Sequence, residues 1–134
     1  MGTGELQPPE NKDIISLGFV SDQDKFDGIA ASEMMVIPSH YESLSMVLLE
    51  AMSLGKPVLV NGECNVLKEH CRKSNAGVYF YSFEEFCQGV EFLMKYSPEM
   101  GKNGISYVQE KYCWPTITDK LCQMIEQVCD LNHE

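Results

Sequence analysis

Residues 34–60 read MMVIPSHYESLSMVLLEAMSLGKPVLV, and the order of apolar and polar residues predicts a strand, a polar turn, a helix and a second strand. The first strand covers residues 34–37, and the helix covers residues 45–54 and ends at Gly55. An apolar strand follows over residues 58–61. The helix is apolar on nearly every side, so we expect it to be buried.

Glu50 is the one charged residue inside this apolar helix. A buried carboxylate without a partner is costly, so Glu50 needs one, either in the protein or in a ligand. The ordinary alternative is a solvated glutamate or one that pairs with a neighbouring lysine. Its position favours a ligand, because Glu42 and Ser43 follow the first strand and either Ser43 or Ser45 can cap the helix.

The start of this helix is a candidate anion site. At the carboxyl edge of a parallel sheet, the free N–H groups of a first helical turn bind phosphate. Helical side chains lean back towards the N-terminus, so Glu42 and Glu50 can both meet a ligand whose phosphates lie at the helix start. A ligand with phosphates and sugar hydroxyls is a nucleotide sugar. We therefore expect both carboxylates to point into one cleft.

The same stretch resembles the donor-binding motif of the retaining glycosyltransferases with the two-domain GT-B fold, known as glycosyltransferase group 1 or family 4. The hallmark of that motif is Glu, seven residues, Glu, then Ala-Met and Gly-x-Pro-Val. Here it reads Glu42, Glu50-Ala51-Met52 and Gly55-Lys56-Pro57-Val58. Three other segments resemble the family in the right order: Leu17-Gly18-Phe19-Val20-Ser21-Asp22, Ala76-Gly77-Val78-Tyr79 and Lys111-Tyr112-Cys113-Trp114-Pro115.

The resemblance implies a donor-binding role for each matching residue. Glu42 would hold hydroxyl groups of the donor sugar, and Glu50 would bind the ribose hydroxyls. The backbone N–H groups that would face the sugar and the diphosphate are those of Ser43, Leu44 and Ser45. The residues that would lie beside the base are Phe19 and Val20. The family often has glycine at positions 43 and 45, where this chain has serine.

Strands alternate with helices along the chain, which predicts an α/β fold with a Rossmann-like, doubly wound parallel sheet. The other predicted strands cover residues 14–19 and 77–80, and the other predicted helices cover residues 22–32 and 65–73. Three helices are then expected to close the chain, opening after Ser82, at Pro98 and at Trp114. Their stripes of apolar and aromatic residues are predicted to belong to the core.

The resemblance implies that residues 1–134 are a single partial domain, the C-terminal half of a GT-B fold truncated at its N-terminus. Its expected partners are a nucleotide diphosphate sugar and the missing N-terminal acceptor domain, which carries the catalytic side chains. We expect the isolated chain to be inactive. If the first strands are missing, the strand over residues 34–37 has a bare edge. Residues 14–19 would then pair with it, or two copies would self-associate.

Charge and amino-acid composition narrow the classes of partner and of cellular location that are expected. A net charge of −10 disfavours nucleic acid or an anionic bilayer as partner. No apolar run is long enough to span a membrane and no signal peptide opens the chain, so a cytoplasmic enzyme is expected, peripheral at the inner membrane in its full-length form. Cys64 and Cys71 flank Glu69-His70, but no second pair completes a metal site. Neither a metal nor a cofactor is expected.

Two readings from other classes stay open. Without a catalytic domain, the chain can serve as a non-catalytic nucleotide-sugar sensor or as an assembly module. A phosphotransfer receiver domain is the other alternative. Receivers need clustered acidic residues after the first strand and a phosphorylatable aspartate after a later one. Ile37 leads instead into Pro38-Ser39, and Val60 leads into Asn61-Gly62.

Overall fold

The computed structural model describes residues 9–131, in which strands and helices alternate. In chain order the elements are α1 (Asp22–Ala31), β1 (Met35–Ile37), α2 (Met46–Ser53), β2 (Val58–Asn61), α3 (Asn65–Ser74), β3 (Gly77–Phe80), α4 (Phe83–Tyr112) and α5 (Trp114–Leu131). The predicted α/β alternation is therefore confirmed from residue 22 to residue 80. Helix bounds in this region differ from the prediction by at most one residue at each end.

The three strands form one parallel sheet in the order β1-β2-β3. The central strand β2 is buried along its whole length, as apolar parallel strands usually are. Successive side chains of a strand point to opposite faces. Val58 and Val60 accordingly join one apolar cluster, and Leu59 joins another. The sheet therefore has a core on each face.

The two cores are built by different helices. The larger one is formed by side chains of α2 and α3, together with Ile29 of α1 and Tyr107 of α4. The smaller one packs Leu93 and Met100 of α4 against Leu59. As predicted, the apolar helix α2 is largely buried, and Leu48, Ala51 and Met52 have no exposed surface.

Helix α2 ends in the glycine stop that the sequence predicts. Gly55 has a left-handed backbone with φ of 70°. Its N–H donates to the carbonyl of Met52 at 3.0 Å, and the N–H of Lys56 donates to the carbonyl of Ala51 at 2.9 Å. This pair of bonds is the Schellman arrangement, which satisfies the last carbonyls of a helix and turns the chain out of it. The chain then enters β2 directly.

The prediction of a strand over residues 14–19 is wrong. This segment has no strand partner, and its large apolar side chains are exposed, from 46% for Ile14 to 87% for Phe19. Gly18 adopts a left-handed backbone with φ of 60°, which interrupts an extended run. β1 has three residues, so it offers few backbone groups to a neighbour. The outer edge of β1 therefore stays unpaired within the described residues.

The prediction that a new helix opens at Pro98 is also wrong, because α4 continues through it. Pro98 lacks an N–H, so the carbonyl of Met94 loses its helical donor. Both residues lie on the exposed side of α4, where water can bond that carbonyl. Leu93 and Met100 flank this point and are both packed in the smaller core. Packing on either side outweighs the local cost of the proline.

Helix α5 begins at Trp114 as predicted, but its apolar stripe is not part of the core. The exposed fractions are 83% for Trp114, 55% for Leu121 and 63% for Met124. Among the other elements, α5 packs mainly against α4. None of the helices in the described part of the chain is long and apolar enough to cross a membrane.

Gly101 of α4 packs closely against the turn at Gly55. A Cβ atom on Gly101 would overlap the backbone carbonyl of Gly55. Gly28, in the middle of α1, is the opposite case, because nothing lies within 4 Å of the position of an added Cβ. The two helical glycines therefore provide a matched pair.

We predict opposite effects of the same substitution at these two sites. Gly101→Ala should lower the free energy of unfolding by about 1–3 kcal/mol, because backbone must move to admit the methyl group. Gly28→Ala should raise it by roughly 0.5–1 kcal/mol, because alanine is the better helix former where there is room. Urea denaturation followed by circular dichroism measures both. Equal effects at the two sites would contradict the packing described for α4.

Candidate functional site at the carboxyl edge of the sheet

The candidate site lies where the three parallel strands end. The carboxyl ends of β1, β2 and β3 are Ile37, Asn61 and Phe80, and parallel strands place these ends along one edge. The loop of residues 38–45, which we call the donor loop, leaves this edge and enters α2. In open α/β sheets, ligands bind in the crevice outside this edge.

Glu42 and Ser43 line a cleft of about 540 Å³ at this edge. The rest of the lining comes from the donor loop and from the start of α3: His40, Tyr41, Glu63, Cys64, Asn65 and Val66. Glu50 is not part of that lining. The structure thus brings Glu42 and Ser43 together with the turn after β2. The expected single cleft for Glu42 and Glu50 remains a prediction.

Asn61 holds the turn after β2 against the donor loop. Its side chain is 7% exposed, and its Nδ2 donates to the carbonyl of Pro38 at 3.2 Å. Its Oδ1 accepts from the backbone N–H of Glu63 at 2.9 Å. Glu63 Oε2 in turn lies 3.0 Å from Nδ1 of His40. Sequence reasoning missed these three residues, although an asparagine directly after a buried strand is a usable signal.

Ser45 occupies the N-cap position of α2 in an unusual way. Its backbone is left-handed, with φ of 62°, and its side chain makes no capping hydrogen bond. Its carbonyl accepts from the N–H of Leu48 at 3.1 Å, so the helix does begin here. The hydroxyl has no hydrogen-bond partner, although the residue is 5% exposed. The expectation that a serine side chain caps α2 is therefore wrong for Ser45.

These features concentrate unsatisfied polar groups at the start of α2. In the described part of the chain, the backbone N–H groups of residues 44–47 donate to no protein acceptor. The Ser45 hydroxyl is a buried donor beside them. Buried polar groups are normally paired, so the unpaired Ser45 hydroxyl beside these N–H groups makes the start of α2 a candidate ligand site.

Glu50 has found its partner within the protein. Lys25 of α1 places Nζ 3.0 Å from Glu50 Oε1, and the two side chains are 24% and 19% exposed. The hydrogen bond from Lys25 to Glu50 raises the pKa of the lysine, so the ammonium stays charged at neutral pH. The lysine pairing that sequence reasoning held as the ordinary alternative is thus present. The ribose-binding role of Glu50 stays a prediction.

Phe19 and Val20 lie shortly before α1 and belong to none of the three strands. Phe19 is 87% exposed, and the helix after it is capped by Ser21, whose Oγ accepts from the N–H of Asp24 at 3.1 Å. The structure positions the two residues directly before α1, the helix whose Lys25 contacts Glu50. Their contact with a base stays a prediction.

The cysteines and histidines of the described residues build no metal site. No group of three or more His, Cys, Asp or Glu side chains is arranged to hold an ion there. All six cysteines are free thiols. Burial raises the pKa of the Cys71 thiol to about 12, so it stays protonated and acts as a small apolar residue.

A parallel α/β domain with an anion-ready helix start and a nearby carboxylate is typical of nucleotide-binding transferases. Residues 2–96 match the family described as "Glycosyl transferases group 1", so the chain belongs to this family. It is also 29% identical over 109 residues to an uncharacterized glycosyltransferase of Methanocaldococcus jannaschii. That alignment covers 78% of this chain and 28% of the relative, so the chain spans less than a third of the relative's length.

Substitutions at Ser45 should separate its two unusual features. Ser45→Ala removes the unpaired hydroxyl and should raise the free energy of unfolding by about 1 kcal/mol. Ser45→Gly also relieves the left-handed backbone and should add roughly 1 kcal/mol more. Thermal and urea denaturation measure both steps.

Ser43→Ala is the matched control for this series. Ser43 is exposed in the same loop, so its loss should change stability by less than about 0.5 kcal/mol. Destabilisation by Ser45→Ala would mean that its hydroxyl has a protein partner, and the account of this site would fail.

Proposed function

We propose that this chain is the donor-binding part of a retaining glycosyltransferase with the GT-B fold. It binds a nucleotide diphosphate sugar, from which a hexose passes to a glycan or lipid acceptor. The observation that carries the proposal is the start of α2, where open backbone N–H groups and the unpaired Ser45 hydroxyl lie beside Glu42. Membership of the group 1 glycosyltransferases supports it.

Each part of the site has a physical task in this proposal. The diphosphate takes the place of the missing acceptors for the N–H groups at the start of α2, where the helix dipole favours negative charge. Glu42 accepts hydrogen bonds from hydroxyl groups of the sugar. Glu50 accepts from the ribose, and the ion pair with Lys25 orients its carboxylate.

The chemistry itself needs a second domain. The chain contains no catalytic residue of its own in this proposal, and glycosyl transfer requires a site that orients the donor and excludes water. The cleft beside Glu42 is open to solvent on the described residues. We propose that an N-terminal acceptor domain closes over it. Exposed apolar residues before α1 and along α5 are consistent with such a partner surface, among them Phe19, Trp114 and Leu121.

The alternative of a non-catalytic binding or assembly module shares the same donor site. The transferase half and the non-catalytic module differ in what a second domain supplies. A module would bind donor with a fixed affinity and never transfer sugar. A transferase half would gain turnover when joined to its acceptor domain.

Calorimetry with UDP- and GDP-sugars tests the donor site. We expect weak binding by the chain alone, with Kd above the micromolar range and no sugar transfer. Glu42→Gln should weaken it about tenfold or more, because hydrogen bonds to a charged acceptor contribute ~1.5–3 kcal/mol.

Glu99→Gln is the matched control, since Glu99 is an exposed carboxylate of α4 near the contact of Gly101 with Gly55. It should leave the affinity unchanged. Sub-micromolar binding or measurable turnover by the chain alone would show that the site needs no second domain. Equal losses of affinity in the two variants would show that Glu42 does not belong to the donor site.

A further inference from the structure

A buried histidine of α3 reaches the donor loop. His70 is 6% exposed, and its Nε2 lies 3.1 Å from the carbonyl oxygen of Leu44. Among the described residues, this is the hydrogen bond that residues 41–44 of the donor loop receive from outside the loop and α2. The part of the loop next to the left-handed Ser45 is thus held by one side chain of another element.

The contacts of His70 define its tautomer. A carbonyl oxygen can only accept, so Nε2 of His70 carries the proton that it donates to Leu44. In the neutral ring, Nδ1 is then an acceptor, and the hydroxyl of Tyr107 lies 3.0 Å from it. Tyr107 therefore donates to His70. The Tyr112 hydroxyl lies 3.4 Å from that of Tyr107 and can donate to it.

The result is a directed chain of hydrogen bonds from the end of α4, through α3, to the donor loop. The rings support it by packing: the centroids of His70 and Tyr107 are 5.9 Å apart, edge to face, and those of His70 and Tyr112 are 5.8 Å apart. Burial lowers the pKa of His70, and the charge of Lys73 lowers it further, so the ring is neutral at physiological pH. Burial also raises the pKa of Tyr107.

The geometry of a peptide unit links this contact to the ligand side. The carbonyl of Leu44 and the N–H of Ser45 belong to one peptide bond, which is planar and trans here. In a trans peptide the two groups point in opposite directions. Fixing the carbonyl of Leu44 towards His70 therefore directs the N–H of Ser45 away from α3.

We propose that His70 is a positioning residue for the donor loop. Its Nε2–H holds the Leu44 carbonyl and thereby aims the Ser45 N–H at the donor diphosphate, and the hydroxyl of Tyr107 holds the other ring nitrogen in place. The affinity part of this inference rests on the proposed function. The orientation of the Ser45 peptide does not, since it can be observed without a ligand.

The test uses the full chain and three substitutions. His70→Leu removes both hydrogen bonds, His70→Gln restores a donor for the Leu44 carbonyl, and Tyr107→Phe removes the hydroxyl that bonds Nδ1. Leu93→Ala is the control for a loss of core packing, because Leu93 lies in the smaller core on the other face of the sheet. Nuclear magnetic resonance of the ring and backbone nitrogens, and calorimetry with a UDP-sugar, provide the readouts.

We expect the ring of His70 to be neutral with the proton on Nε2. His70→Leu should shift the Ser45 amide resonance and weaken binding of the UDP-sugar roughly tenfold, the effect of one misplaced hydrogen-bond donor. His70→Gln should recover most of both. Tyr107→Phe should keep the fold and the proton on Nε2, because the Leu44 carbonyl selects that tautomer. Leu93→Ala should lower the melting temperature while leaving the Ser45 amide and the affinity unchanged.

Two results would overturn the inference. One is a ring protonated on Nδ1 alone. The other is that His70→Leu behaves like Leu93→Ala: it lowers the melting temperature but changes neither the Ser45 amide resonance nor the affinity for the UDP-sugar. If the unaltered chain binds no nucleotide sugar while His70→Leu still shifts the Ser45 amide, the positioning role stands and the proposed function fails. If His70→Leu does not fold, the position of the ring proton in the unaltered chain decides, since a proton on Nδ1 alone rules the inference out.

Discussion

The structure depends on the complete burial of β2. Val58, Leu59 and Val60 have no exposed surface, so this strand needs a neighbour on each edge and a packed layer on each face. β1 and β3 supply the edges in parallel register. Helices α2 and α3 cover one face, and α4 covers the other. The same constraint brings the carboxyl ends of all three strands to one edge, where the candidate site forms.

At that edge, the proposed ligand site carries a cost in folding stability. Ser45 keeps a left-handed backbone and an unpaired buried hydroxyl, which both cost folding free energy. Glycine would relieve both. A buried contact from His70 to Leu44 holds the loop in this costly form. The loop is strained, and a satisfied chain of hydrogen bonds holds it in that strained form. Such an arrangement is expected where backbone N–H groups must face an anion and not a protein acceptor.

Local sequence patterns predicted the elements whose packing is local. The strands over residues 58–61 and 77–80, the glycine stop of α2 and the Ser82 cap of α4 were all readable from apolar runs and capping residues. Residues 14–19 form no strand, because a strand depends on a partner elsewhere in the chain, and none of the described residues pairs with them. Helix α4 continues through Pro98 because its residues on both sides of the proline are packed in the core. Local sequence rules do not describe that packing.

The candidate site also combines features that were predictable from local sequence with contacts that were not. Glu42 and the start of α2 were predictable from their place after a strand. The contacts of Lys25 with Glu50, Asn61 with Pro38 and His70 with Leu44 join residues at least 23 positions apart, and they were found only in the fold. These distant contacts decide how the predicted residues are oriented.

A crystal structure of the chain with a nucleotide diphosphate sugar tests the central claim most directly. The account predicts a phosphate oxygen about 2.9 Å from the backbone N–H of Ser45 or Met46, with the sugar hydroxyls at Glu42. A diphosphate bound away from the start of α2, with the N–H groups of the donor loop still open, would contradict it.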